Sequence, residues 1–191
     1  MKHPKIIEKK LLAHNRYRLY EYTFSINDST GKPVVQKREA YDRGDGATIL
    51  LYNLATRTVI LTRQFRLPSF VNGNDDGTLI ETCAGMLDED HPDDAIRRET
   101  EEETGYKITN VEKVLEAYSS PGAVTEIIHY YVGEYTPDQK IGEGGGLAAE
   151  QEDIEVLELQ FEQAYNMIAT GEIKDAKTIL LLQYARINFF N

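Results

Sequence analysis

The sequence predicts a mixed α+β fold in which helices cover strands. Three observations support this prediction. Strand-like segments with alternating or continuous apolar residues dominate the first part of the chain. One sharply bounded helix lies near the middle, and two further helical segments close the sequence. This order lacks the regular alternation of strand and helix that is typical of parallel βαβ proteins.

The composition is that of an ordinary globular protein. The chain has 191 residues, which suits one medium domain or one domain with a short extension, and 41% of them are hydrophobic. A domain of this length buries roughly two-thirds of its unfolded surface, so it needs no covalent cross-link to fold. Cys83 is the only cysteine, which excludes an internal disulfide framework and fits a reducing cytosol.

Charge and hydropathy argue against two classes of partner. The net charge of −11 disfavours nucleic acid, whose phosphates attract Lys and Arg. The sequence has no run of 18 apolar residues, and Met1 to Lys10 lacks the apolar core of a secretory signal. We therefore expect a cytoplasmic protein that binds neither nucleic acid nor membrane. The acidic excess has two interpretations, a solvated surface or carboxylates gathered around a metal, and residue positions must decide.

The first 40 residues predict a β-hairpin that precedes the main domain. From Tyr20 to Ile26 every second residue is aromatic or aliphatic, as in a half-buried strand. Turn-forming residues fill positions 27–33, and Val34 to Tyr41 has strand character. We expect residues 1–42 to form an extension and residues 43–191 to form the main domain.

The main domain contains several predicted strands and two C-terminal helices. The first of its strands is a continuous apolar run, which is typical of a fully buried strand. The predicted strands are Ala47 to Asn53, Thr58 to Thr62, Leu79 to Cys83, Val111 to Tyr118, Ile127 to Tyr135 and Ile154 to Gln160. Loops cover Ser69 to Thr78 and Gly142 to Asp153, and the helices are Phe161 to Thr170 and Asp175 to about Asn188.

The helix with the clearest boundaries runs from Pro92 to Thr104. Proline suits the first helical position, and Asp93 and Asp94 suit the positive end of the helix dipole. Gly105 suits the left-handed residue that follows a helix. These signals predict both ends of the helix independently of its hydrophobic pattern.

Three carboxylates share one face of this helix. Glu99, Glu102 and Glu103 are spaced i, i+3 and i+4, and each like-charged pair costs a few tenths of a kcal/mol. The negative helix terminus adds roughly 0.3–1 kcal/mol for each of the last two. A bound divalent cation would reverse both penalties, and Mg²⁺ in proteins takes a few carboxylates while keeping several waters. The helix by itself leaves open both a metal site and a solvated acidic face.

The surrounding pattern resembles the Nudix box. Gly85, Arg98-Glu99, Glu102-Glu103 and Gly105-Tyr106 match a motif that consists of a glycine, an acid, Arg-Glu, Glu-Glu and a final glycine with an apolar residue. The motif is long and selective. The resemblance implies an α/β/α sandwich in which the box forms a loop, a helix and a second loop. It also implies that metal ions and a positioned water attack a phosphorus of a diphosphate.

Two positions depart from the usual box. The span from Gly85 to Arg98 is one residue shorter, so the first acid of the motif is either Asp90 or Glu89. Thr100 stands where an aliphatic residue is usual, and we expect packing to absorb that change.

Residues outside the box resemble a narrower branch of the family. Pro121 lies 15 residues after Tyr106, as in nucleoside diphosphate sugar pyrophosphatases of the ADP-ribose pyrophosphatase type. Nearly the whole chain is similar to the bacterial branch that acts on GDP-mannose, which the shortened box and Cys83 also favour. The segments that carry this similarity are Lys37-Arg38-Glu39, Tyr41 to Gly44, Arg63 to Arg66, Val71 to Asn74, Glu81 to Gly85, Ser120 to Glu126, Gly171 to Ile173 and Lys177-Thr178.

The resemblance implies a metal site built from the box and a later loop. Its ligands would be Glu99, Glu103, the Ala84 carbonyl and Glu152, with Mg²⁺ as the expected ion and Mn²⁺ as the alternative. Glu99, Glu103 and Glu152 are the implied catalytic residues, and Glu152 could also orient the attacking water as a base. The loop is about two residues longer than usual, so Glu150 and Asp153 remain alternatives for the loop acid.

The resemblance also implies a substrate site that uses both parts of the chain. Arg38 and Arg66 can bind phosphate oxygens in a bidentate way, and Lys177 can do so as a point charge. Surface ion pairs are the competing interpretation for these cations. The implied substrate-binding residues are Lys37, Arg38, Glu39, Arg66, Gly85, Met86, Glu103, Glu126, Gln151, Glu152 and Lys177.

The implied activity is metal-dependent hydrolysis of GDP-mannose to GMP and mannose 1-phosphate by a homodimer that exchanges its N-terminal extensions. Hydrolysis of ADP-ribose or another ADP-sugar is the enzymatic alternative. A nucleotide-sugar binding module without turnover is the alternative from another class, although the expected helix glutamates are all present. We interpret His129, on an apolar strand, and Cys83 as structural residues.

Overall fold

The computed structural model describes residues 3–88, 90–147, 149 and 151–191. These residues divide into two compact units. The first contains the chain up to Asp45 together with Ala117–Ile128, and the second contains Gly46–Glu116 and His129–Asn191.

The first unit is built on a three-stranded antiparallel sheet. Its strands are β1 (Lys5–His14), β2 (Arg18–Asn27) and β3 (Pro33–Asp42), in the spatial order β1-β2-β3. The predicted hairpin is confirmed as β2 and β3. The sequence did not predict β1, because its apolar residues come in adjacent pairs rather than at alternate positions, and all ten of its residues are exposed.

The turn between β2 and β3 is held by one aspartate. Asp28 accepts hydrogen bonds from the backbone amides of Thr30 (2.8 Å) and Lys32 (3.0 Å). Gly31 takes a left-handed conformation, with a φ of 85°, that a side chain would disfavour. The turn therefore brings Ile26 opposite Val34 and sets the register of the hairpin.

The second unit contains most of a larger sheet, to which the described residues contribute seven strands. Their order is β10-β5-β4-β9-β8, with β6 paired to β5 and β7 paired to β4. The strands are β4 (Gly46–Asn53), β5 (Thr58–Phe65), β6 (Thr78–Glu81), β7 (Cys83–Met86), β8 (Glu112–Tyr118), β9 (Ile127–Glu134) and β10 (Glu155–Gln160).

The predicted strand from Leu79 to Cys83 is two strands. β6 pairs with β5 and β7 pairs with β4, and Thr82 lies between them. The Thr82 amide donates to Oγ1 of Thr178 at 2.7 Å instead of joining the ladder. A distant helix therefore breaks the strand, which local apolar patterning does not reveal.

Within the described residues, four α-helices flank this sheet. They are α1 (Leu67–Val71), α2 (Pro92–Thr104), α3 (Phe161–Thr170) and α4 (Ala176–Asn188). The three longer helices are as predicted, with Asp175 as the N-cap of α4. The short α1 overlaps the start of the predicted loop from Ser69 to Thr78. None of the helices in the described part of the chain is long and apolar enough to cross a membrane.

Buried apolar side chains lie on both faces of the larger sheet. Ile49 and Leu51 of β4 belong to the same buried cluster as Ile96 of α2. Leu50 points to the opposite face and is also fully buried. Thr100, the polar departure in the box, is buried too, and its hydroxyl donates to the Ile96 carbonyl at 2.6 Å. The hydroxyl is thus satisfied within the helix, and no aliphatic residue is required there.

Candidate active site

Two carboxylates of α2 lie at the inner face of the helix. Glu103 is 2% exposed, and its Oε2 accepts a hydrogen bond from the Ala84 amide at 3.3 Å. The Glu99 side chain is 16% exposed. Burial raises the pKa of Glu103 to about 8. Burial also raises the pKa of Glu99 to about 7, against the opposing effect of Arg98.

Gly85 permits the close approach of Glu99 to β7. A Cβ atom at this position would overlap the Glu99 carboxylate. Gly85 pairs with Ala47 of the central strand β4, so this stretch of backbone is fixed by the sheet. The glycine of the box is therefore required for space next to the carboxylate.

The third carboxylate of the predicted face, Glu102, forms an ion pair with Arg98. Arg98 Nη1 donates to Glu102 Oε2 at 3.1 Å and also lies 2.9 Å from Glu99 Oε1. Asp90, one candidate for the first acid of the box, is 3.8 Å from Arg98 Nε. The other candidate, Glu89, lies outside the described residues. Of the three acids, Glu103 is the most deeply buried, and no Lys or Arg of the described residues forms an ion pair with it.

A glycine-rich loop caps the C-terminal end of α2. The amides of Gly145 and Gly146 donate to the carbonyls of Glu103 (2.9 Å) and Glu102 (3.1 Å). A Cβ atom at Gly144 would overlap the Glu103 carbonyl, and φ is positive there. The loop backbone is therefore attached to the same residues whose side chains form the acidic face.

The loop acid Glu152 is held within its own loop. Its Oε2 accepts from the Leu147 amide at 3.0 Å. Its charge contributes to the raised pKa of both Glu99 and Glu103, so it lies within electrostatic range of the pair. Among residues 3–88, 90–147, 149 and 151–191, no three Asp, Glu, His or Cys side chains converge as metal ligands. The alternative acid Glu150 lies outside the described residues, and Asp153 is exposed.

The donor set fits a hard divalent cation. Glu99 and Glu103 offer carboxylate oxygens at a place where burial makes negative charge costly, and the backbone of β7 lies beside them. A cation bound there would stabilise the ionised form of both groups and offset their desolvation. The chemistry of these residues therefore fits a divalent metal ion.

Two predicted phosphate-binding cations share a buried carboxylate. Glu81, the last residue of β6, accepts from Arg66 Nε at 2.7 Å and from Lys177 Nζ at 3.3 Å. Lys177 Nζ also donates to Asp175 at 2.6 Å. Burial lowers the pKa of Lys177, but Asp175 and Glu81 more than compensate and raise it above its ordinary value. Glu81 is not among the predicted site residues, although a glutamate in an apolar strand is a sequence signal for a functional role.

Comparison with known proteins identifies the family. The sequence model of the NUDIX domain matches residues 42–182. The chain belongs to the Nudix family. A second sequence model, described as the GDP-mannose pyrophosphatase NudK N-terminal domain, matches residues 4–41.

Relatives of this Nudix protein match it over nearly its whole length. A protein named GDP-mannose pyrophosphatase from Yersinia enterocolitica serotype O:8 is 57% identical over 182 residues, which cover 95% of this chain and 94% of the relative. Proteins of the same name from Yersinia pestis strain Pestoides F and Shigella dysenteriae serotype 1 are 54% and 52% identical. Both alignments cover 96% of this chain, with 92% and 95% of the respective relatives.

The other predicted substrate-binding residues lie in the first unit, at the end of β7 and in the loop that precedes β10. Lys37 pairs with Glu21 at 3.0 Å, and Arg38 donates to the Lys37 carbonyl at 2.7 Å. Glu39 and Gln151 are exposed, and Met86 is half-buried at the end of β7. Glu126 is buried and lies 3.4 Å from Arg43.

Two residues interpreted as structural occupy structural positions. His129 is mostly buried in β9, with Nδ1 at 3.6 Å from Glu116. Cys83 is buried, and burial raises the pKa of its thiol well above the usual range. A thiol that resists ionisation is a poor nucleophile. This environment agrees with the structural interpretation.

The raised pKa values predict how the stability of the metal-free protein depends on pH. In the folded chain Glu103 and Glu99 bind protons up to about pH 8 and pH 7, whereas the unfolded groups ionise near 4.5. The stabilisation from their protonated forms is therefore present at low pH and is lost as pH rises through these folded values. We expect the free energy of unfolding in EDTA to fall across this window, as measured by urea denaturation.

Variants separate this effect from other titrations. Glu103→Gln removes one of the two titrating carboxyl groups, so the free energy of unfolding should fall less steeply with pH. Glu101→Gln, which removes a charge from an exposed position of the same helix, should preserve it. An equally steep decline in Glu103→Gln would show that this carboxyl is not the source.

Proposed function

We propose that this Nudix protein hydrolyses GDP-mannose to GMP and mannose 1-phosphate with the help of a divalent metal ion. The observation that carries the proposal is the extent of the similarity. Relatives named GDP-mannose pyrophosphatase match more than nine-tenths of the chain, and its first residues match the N-terminal domain described for such an enzyme. The match therefore includes a segment that lies outside the Nudix domain itself.

The proposed metal ligands are Glu99, Glu103, Glu152 and the Ala84 carbonyl. These residues would hold Mg²⁺, or Mn²⁺ as the alternative, and the ion would supply polarisation of the diphosphate and a lower pKa of the attacking water. The buried position of Glu103 supports this assignment, since its charge needs a partner. Glu99 and Glu103 would hold the ion in their ionised forms, and Glu152 is the proposed base that orients the water. Gly85 leaves the space beside β7 that the Glu99 carboxylate occupies.

The proposed substrate contacts divide by chemistry. Arg66 and Lys177 would bind diphosphate oxygens, which the fixed positions of both side chains and their remaining N–H donors support. Arg38 and Lys37 add cationic groups from the N-terminal extension. The remaining proposed contacts are Glu39, Gly85, Met86, Glu103, Glu126, Gln151 and Glu152.

The chemistry of the site determines which bond breaks. Water attacks a phosphorus, the bond from that phosphorus to the bridging oxygen breaks, and the departing phosphate takes the bridging oxygen. The proton of the attacking water passes to the loop carboxylate. GMP and mannose 1-phosphate would result, because the carboxylates would direct a bound metal ion to the diphosphate and not to the sugar carbon.

We further propose that residues 1–42 are an extension that dimerises the Nudix domain of residues 43–191. The surface of β1 supports this proposal. Ile6 and Ile7 are each 56% exposed, and Leu11 and Leu12 also face outward on an edge strand. Exposed apolar residues on an edge strand are typical of a surface that a partner covers. The lone cysteine supports a cytoplasmic location, where thiols stay reduced.

Substrate choice is the first test of the proposed function. A pocket that satisfies the amine, ring N–H and carbonyl of guanine rejects adenine, because its own polar groups would be left unpaired. We expect kcat/KM for GDP-mannose to exceed that for ADP-ribose by roughly tenfold or more, or about 1.4 kcal/mol. Steady-state kinetics with Mg²⁺ and chromatographic identification of products measure both claims. Equal rates on the two substrates, or release of GDP, would contradict the assignment.

The oligomeric state is the second test. Light scattering at micromolar concentration should give twice the mass of the 21.7 kDa chain. Replacing Ile6 and Leu11 by Ser should shift the protein towards monomers and lower its activity, because the extensions would no longer pair. Replacing the exposed Ile187 on α4 by Ser is the matched control and should leave the dimer intact. A fully active wild-type monomer would exclude the proposed dimer.

A further inference from the structure

Glu81 connects two elements that come from distant parts of the chain. Arg66 follows β5, and Lys177 lies in the first turn of α4, yet both donate to the same carboxylate. Glu81 is only 3% exposed. A carboxylate this deeply buried is stable only when it is paired, and here two cations pair with it.

The contacts with Glu81 leave both cations with further donors. Arg66 uses Nε for Glu81, whereas a guanidinium has five N–H donors. Its side chain remains 40% exposed, so it is accessible to a ligand. Lys177 donates to Glu81 and to Asp175, and an ammonium group has three N–H bonds. Each cation is therefore held at one side and retains capacity for an anion.

The charged side chains that surround Glu81 have no net charge, together with Glu81 itself, before any ligand binds. Two carboxylates, Glu81 and Asp175, face two cations, Arg66 and Lys177. A buried ammonium without such partners would lose its proton or turn towards solvent. The carboxylates therefore keep Lys177 charged and fix the direction of both side chains.

The same group is attached to the strand that carries the proposed metal ligand. Asp175 accepts from Thr178 Oγ1 at 2.7 Å, and that hydroxyl accepts from the Thr82 amide at 2.7 Å. Thr82 follows Glu81 directly and precedes β7, which contains Ala84. The positions of the two cations are thus tied to the backbone beside Glu103.

We infer that Glu81 is a positioning residue that orients Arg66 and Lys177 towards the diphosphate of the substrate. The inference rests on the proposed function, in which these two cations bind that diphosphate. Glu81 itself touches neither the substrate nor the metal. It acts by holding two phosphate-binding groups in one fixed arrangement, which lowers the cost of ordering them when the substrate binds.

The test is a double-mutant cycle on the full-length protein with Mg²⁺. Glu81→Gln keeps the size of the side chain and removes its charge. We expect kcat/KM for GDP-mannose to fall about tenfold or more, mainly through KM, and the inhibition constant of inorganic pyrophosphate to rise in parallel. In an Arg66→Gln background the same change should cost less than about threefold, because one of the groups that Glu81 positions is already missing.

Two further variants keep the test decisive. Glu81→Asp retains the charge, and it should preserve folding and keep more activity than Glu81→Gln if the latter is poorly folded. Glu155→Gln removes the partner of Arg63, an exposed Arg–Glu pair at 2.7 Å that also involves β5, and should leave the kinetics unchanged.

The outcomes distinguish this inference from the proposed function. Equal losses from Glu81→Gln in the wild-type and Arg66→Gln backgrounds would overturn the positioning role while GDP-mannose hydrolysis stands. Unchanged pyrophosphate inhibition in Glu81→Gln would do the same. A wild-type protein that hydrolyses no nucleotide sugar would overturn the proposed function, and the inference with it.

Discussion

The structure of the site depends on the burial of the Glu103 carboxylate. A lone carboxylate inside a protein is unfavourable unless it is protonated or paired with a cation. Here the Cys83 thiol and the Ala84 amide supply hydrogen bonds, and the carboxylates of Glu99 and Glu152 add repulsion. The fold therefore holds a group whose charged form requires a cation. This constraint connects the sequence of the Nudix box to its chemistry.

Several features of the fold maintain that burial. Ile96 anchors α2 in the core, and Tyr131 donates to Asp93 at 2.6 Å near the start of the helix. The glycine-rich loop caps the other end of α2 through the Glu102 and Glu103 carbonyls. At the strand side, Gly85 leaves room for Glu99. The helix is thus fixed at both ends. Its buried carboxylates therefore stay away from the solvent that would otherwise stabilise their charge.

Local signals predicted the parts of the structure that local interactions determine. Pro92 and Gly105 mark α2, and the turn residues around Asp28 mark the β2–β3 hairpin. Long-range contacts determine what the sequence did not reveal. Thr178 breaks the strand at Thr82, and Glu81 gains its partners from two distant segments. The assignments of metal and substrate residues remain proposals, and Glu89 and Glu150, two of the alternative acids, lie outside the described residues.

The most direct test compares the response of three proteins to Mg²⁺. Because a ligand that binds only the folded state stabilises it, Mg²⁺ should raise the melting temperature of the wild type. Glu101→Gln should respond equally, whereas Glu103→Gln should fold, lose most of the Mg²⁺-dependent rise and show almost no turnover. A Glu103→Gln variant that keeps both the rise and most of its activity at saturating Mg²⁺ would show that this buried carboxylate does not bind the metal.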